Sequence, residues 1–206
     1  MKVPFRQQQA TLQVTEYDCV PVSIISGLSY LFRRREIPPF VVHRIYKECL
    51  DYEGSRGTTS RAIMDIGHWL TCYREKSFPR FAVAATYLAG TQVRLKDNSK
   101  IIDCLANGGV VALCVQTSQY ERHCLLALDY SDDWLYCHEP LPRSKRFIQC
   151  DQVQFIEQTG HHAANVRIHR IWLEKNYDKV TQAKERKYVL GSIHKRECLL
   201  LKRLPR

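Results

Sequence analysis

The sequence predicts an α+β domain with N-terminal helices packed on a C-terminal antiparallel sheet. Three observations carry that expectation. Apolar residues recur at helical spacing through the first half of the chain, and from Val110 the period changes to short apolar runs of strand length. Helices first and strands after is the order of a segregated α+β domain, whereas a doubly wound sheet alternates the two. The composition, 45% hydrophobic and 25% charged over 206 residues, is ordinary for a globular chain. It excludes a mainly disordered, collagenous or coiled-coil protein and allows a core without disulfide staples.

The elements follow in order. Gln13 to Asp18 is a short polar connection into a helix that starts at Cys19, with Pro21 in its first turn and Ile24, Ile25, Leu28, Leu31 and Phe32 on one face. Arg33-Arg34-Arg35 closes it with positive charge, which suits the helix dipole. Pro38-Pro39 opens a second helix with a stripe of Val41, Val42, Ile45, Tyr46, Cys49 and Leu50. Residues 54–60 are a loop, and Thr59 or Ser60 caps a third helix carrying Ile63, Ile66, Leu70 and Tyr73. Residues 76–98 show no clear period apart from a short strand over Val93 to Leu95. Ser99 caps a helix through Ile101, Ile102 and Leu105, which Gly108-Gly109 ends. Strands are then predicted over Val110 to Gln116, Cys124 to Tyr130 and, across Ser131-Asp132-Asp133, Trp134 to His138. A further helix is expected from Asp151, a strand over Val166 to Leu173, a loop or exposed helix over Tyr177 to Lys187 and a terminal strand over Cys198 to Leu201.

The formal charge of +10 is unevenly placed. Residues 1–160 hold 19 Lys and Arg against 17 Asp and Glu, and residues 161–206 hold 12 against 4. The expected organisation is a nearly neutral body over 1–160 and a basic C-terminal extension over 161–206 packed on the same domain. That extension is read as a solvated face or as a dock for an acidic partner, and nucleic acid is not the expected ligand. The longest apolar stretch, Cys19 to Phe32, is about 14 residues and contains serines, too short for a membrane span of roughly 20. The N-terminus has no continuous apolar core of the kind a secretory signal needs, so a cytoplasmic protein is expected.

Nine cysteines is a high and odd count. It points to reduced thiols and leaves room for one reactive residue. No Cys-x-x-Cys occurs, and His161, His162, His169 and His194 match no compact ligand set, so neither metal nor cofactor is expected. Cys49, Cys72, Cys104, Cys114 and Cys124 lie in apolar-periodic segments and read as small buried hydrophobes. Trp69, Trp134 and Trp172 read as core or rim aromatics. Cys19 differs, because a helix start places its sulfur near unpaired backbone N–H groups that stabilise a thiolate. A thiolate is a nucleophile, and the same N–H groups with a side-chain amide such as Gln13 could hold an oxyanion.

Cysteine catalysis also needs a histidine, and the histidine needs an orienting acceptor. His123 heads one strand and the next ends in His138-Glu139-Pro140. A hairpin turning around Ser131 and Asp132 sets residue 123 opposite 139 to 141, so Glu139 can lie beside His123. Asp129, Asp132 and Asp133 compete for that role, although the last two sit where a turn favours Asp.

The order of Gln13, Asp18-Cys19-Val20-Pro21 opening a helix, Gly57-Thr58-Thr59-Ser60 opening another, His123 heading a strand and Glu139-Pro140 closing the next resembles the papain-like cysteine peptidases of the bacteriocin-processing type. The resemblance covers roughly residues 8–157. It implies a papain-like fold and hydrolysis of a peptide or protein substrate through an acyl-enzyme. Cys19 would be the nucleophile, His123 the general base and acid, Glu139 the orienting carboxylate and Gln13 the oxyanion donor. This chain has Val20 where the family usually has Gly, and Glu139 where it usually has Asp. The same thioester would also serve a deamidase or an acyltransferase. An alternative of another class is a non-catalytic binding module on the same fold.

Overall fold

The computed structural model describes residues 17–50, 57–117, 121–141, 150–156, 164–176 and 188–205. The elements run α1 (Cys19–Leu31), α2 (Pro39–Cys49), α3 (Ser60–Cys72), β1 (Val83–Ala89), α4 (Lys100–Ala106), β2 (Val110–Gln116), β3 (Arg122–Tyr130), β4 (Trp134–His138), β5 (Val153–Phe155), β6 (Val166–His169), α5 (Arg170–Leu173) and β7 (Glu197–Arg203). The strands form one sheet in the order β1-β7-β2-β3-β4-β6-β5, with every neighbouring pair antiparallel. The class is α+β.

Both faces of the sheet are covered, which explains its continuous apolar runs. Along β2, Val110, Ala112 and Cys114 join the core under α1, α2 and α3, while Val111, Leu113 and Val115 join the core under α4 and α5. In β7, Leu199 and Leu201 face the first core, and Cys198 and Leu200 face the second. A strand buried on both faces has no polar side to alternate with. The helix starts are built as their sequences require: Thr59 Oγ1 accepts from Ala62 N at 3.1 Å, and Ser99 Oγ accepts from Ile102 N at 3.3 Å.

Several local expectations are corrected. The strand in the unpatterned region is β1 at Val83–Ala89, and Val93 to Leu95 instead follows a 3-10 turn as a connection with Val93 and Leu95 buried and Arg94 exposed. The anticipated helix at Asp151 is a turn leading into β5. Val166 to Leu173 divides into β6 and one turn of helix, α5, because the Arg170 side chain leaves the strand direction to bind backbone carbonyls. Cys72 is exposed rather than buried, being the last residue of α3 on its solvent side, and Leu50 is exposed where α2 ends. Tyr177 to Lys187, His161 and His162 lie outside the described residues.

The change of charge at residue 161 is not a change of structural unit. β7 lies between β1 and β2, and β6 lies between β4 and β5. Four arginines among the described residues of this segment bind other parts of the chain. Arg170 donates to the carbonyls of Leu95, Ser131 and Asp132 and pairs with Asp97 at 2.6 Å. Arg196 donates to the carbonyls of Gly191 and Glu174. Arg203 pairs with Glu36 at 3.1 Å, and Arg167 donates to Gln154 and lies 4.6 Å over the Trp134 ring. Among the described residues no helix is long and apolar enough to cross a membrane.

Candidate functional site

The site forms where α1 begins, beside the start of β3. Cys19 is the first residue of α1 and Asp18 is its N-cap. Two contacts fix this helix on the sheet. One turn beyond Cys19, the Ser23 hydroxyl donates to the carbonyl of Cys124 at 3.2 Å, the residue next to His123. Further along, Gly27 lies so close to the sheet that a Cβ there would meet Val110, Leu201 and Leu126 side chains at 3.0, 3.1 and 3.2 Å. Glycine thus sets how near α1 approaches, and Ser23 sets where along β3 it starts.

His123 is the second residue of β3, and the Cys19 side chain is near enough to act on its imidazole. Its Nε2 lies 2.6 Å from Glu139 Oε1. With Nε2 engaged, Nδ1 is the nitrogen left for the sulfur. Asp132 and Asp133 direct their carbonyls to Arg170, and Asp129 Oδ1 accepts from Tyr130 N at 2.8 Å. The carboxylate that meets His123 is therefore Glu139.

A register change makes that meeting possible. Tyr130 pairs with Leu135 and Asp129 with Tyr136, but Ala127 pairs with Cys137 and Leu126 with His138. Leu128 is the extra residue, a bulge that turns the later part of β4 over relative to β3. Continuing the second register sets residue 141 opposite His123 and Glu139 diagonal to it on the same face. Without the bulge, Glu139 would fall opposite residue 126, on the other face.

The carboxylate is 1% exposed and fully partnered. Oε1 also accepts from Leu141 N at 2.9 Å, and Oε2 accepts from the Tyr188 hydroxyl at 2.6 Å. Asn165 clamps the Glu139 backbone from both sides, accepting from its N–H at 2.6 Å and donating to its carbonyl at 2.9 Å. Burial by itself opposes a charged imidazole at His123, but the Glu139 carboxylate, the neighbouring Cys19 side chain and the hydrogen bond to Glu139 outweigh it and push its pKa up to about 10. Burial also works against the Glu139 carboxylate, and the charge and hydrogen bond of His123, with those of Tyr188 and Leu141, more than offset it and lower its pKa. The arrangement holds an imidazolium between a carboxylate and a sulfur.

Cys19, His123 and Glu139 thus come together, while Gln13 lies outside the described residues. Asn165 and Tyr188 were not anticipated. Both lie beyond residue 157, and nothing in local patterning marks Asn165. Tyr188 carries a faint signal as an aromatic beside the apolar Val189-Leu190 after a charged stretch. Among the described residues, no group of three or more His, Cys, Asp and Glu side chains could hold a metal ion. No protein-family model matches the chain, and no curated protein matches it.

Proposed function

We propose that this chain is a papain-like cysteine peptidase that hydrolyses a peptide bond through an acyl-enzyme at Cys19. The observation that carries the reading is the placement of Cys19 beside a His123 imidazole that is itself hydrogen-bonded to a buried, fully partnered Glu139. In the proposed reaction the sulfur adds to the scissile carbonyl, and the proton held by His123 goes to the leaving amine as the C–N bond breaks. Water then loses a proton to His123 as its oxygen adds to the thioester, and the C–S bond breaks to release the acid product and the Cys19 thiolate beside the protonated His123. The developing oxyanion is met by backbone N–H groups at the start of α1, where Pro21 contributes none, and by the Gln13 amide. Glu139 keeps the imidazole in one orientation throughout. Deamidation and acyl transfer share the thioester and differ only in leaving group or acceptor.

The test is thiol chemistry on the native protein. Under a low dose of iodoacetamide near pH 6, Cys19 is expected to alkylate well ahead of the other cysteines, and His123→Ala is expected to abolish that lead. Alkylation of Cys19 no faster than that of the other eight would sink the reading. A casein or peptide-library digest, with a thioester-trapped acyl-enzyme seen by mass spectrometry, then separates hydrolysis from a binding role.

A further inference from the structure

Tyr188 stands out on two independent grounds. Its backbone φ is +41°, and no other non-glycine residue among those described has a positive φ. A bulky side chain in the left-handed region costs free energy that glycine would avoid, and such costs persist where the surroundings demand that particular side chain. The demand is visible here: the ring is 1% exposed, and its hydroxyl donates to Glu139 Oε2 at 2.6 Å. The next residue, Val189, is fixed to the end of β2 by reciprocal backbone bonds with Gln116, at 2.6 and 3.1 Å. The phenol is therefore brought to the carboxylate by a backbone that is pinned immediately beside it.

We propose that Tyr188 is a positioning residue of the Cys19–His123–Glu139 site, holding Oε2 so that Oε1 stays aimed at His123. The inference rests on the peptidase reading and deepens it. A carboxylate on a flexible side chain can rotate both oxygens past an imidazole, and two contacts on opposite oxygens remove that freedom. The extra methylene of Glu139 is what allows both at once. It reaches diagonally to His123 while leaving Oε2 within range of a residue from the C-terminal segment. The segment with the excess positive charge thereby supplies part of the site itself.

The titratable groups acting on this carboxyl are His123 from β3, Cys137 from β4 and Tyr188. The experiment follows the iodoacetamide rate at Cys19 from about pH 4 to about pH 9 in wild type, Tyr188→Phe, Glu139→Asp and His123→Ala, with the unfolding midpoint of each. Tyr188→Phe is expected to slow Cys19 about tenfold and to move the acid limb of the profile to higher pH, because the carboxylate loses a donor. A purely structural role would lower the midpoint and leave the acid limb where it is. Glu139→Asp, which cannot span both partners, is expected to be slowed alike, and it serves if Tyr188→Phe does not fold. Wild-type rate and acid limb in either variant, with wild-type Cys19 selectively reactive, would overturn the inference alone. An unselective wild-type Cys19 removes the peptidase reading and this inference with it.

Discussion

A single methylene separates Glu139 from the Asp that the resemblance leads one to expect, and the geometry gives that methylene a use. The carboxylate is a diagonal neighbour of His123 and not a directly opposed one, so it needs the additional reach. A second carboxylate shows the same logic in a structural setting. Glu36 takes both guanidinium nitrogens of Arg203 at 3.1 Å and the backbone N–H of Arg33 at 2.9 Å. Its hydrogen bond to Arg203 leads the influences that bring its pKa down from 4.5 to about 2, against some opposition from burial. A depressed folded-state value means that the stability is present above the unfolded pKa and is lost as pH falls through the folded one. Glu36→Gln should therefore cost about 1–3 kcal/mol at neutral pH and much less near pH 2. Urea unfolding at a series of pH values checks this, and a pH-independent difference would count against it.

At the scale of elements, the bulge at Leu128 decides whether a site exists at all. The turn between β3 and β4 is legible, since Ser131-Asp132-Asp133 marks it and the hairpin arithmetic sets Glu139 near His123. The bulge is not legible, because nothing in a run of apolar residues says which of them goes unpaired. Deleting Leu128 should leave a regular ladder in which Asp129 still pairs with Tyr136 and Ala127 with Cys137, so Glu139 stays on the face of His123. The expected outcome is a folded protein, destabilised by the loss of the buried Leu128 side chain, in which Cys19 keeps its lead over the other cysteines toward iodoacetamide. Loss of that lead in a folded variant would mean that Leu128 is not the unpaired residue. The same scale explains the placement of α1, where Gly27 and Ser23 set its distance and register on the sheet.

For the whole molecule, several of the described arginines beyond residue 160 serve the architecture of the sheet. Arg170, Arg196 and Arg203 each hold parts of the chain far from them in sequence, and β7 fills the gap between β1 and β2. A chain ending at residue 160 should accordingly not fold, because β1 and β2 would lose their common neighbour and the β2 and β3 core would open. Loss of near-ultraviolet circular dichroism and gain of dye binding by the shortened chain would show this, and a cooperative thermal transition in it would refute it. The sequence by itself determined the α+β class, most helices, the hairpin and the order of Cys19, His123 and Glu139, because these rest on local periodicity, caps and turns. Only the tertiary structure decided that β7 enters the sheet beside β2, that Leu128 bulges, and that Asn165 and Tyr188 hold Glu139. Those outcomes depend on pairing and packing between residues far apart in the chain, for which local patterning carries no signal.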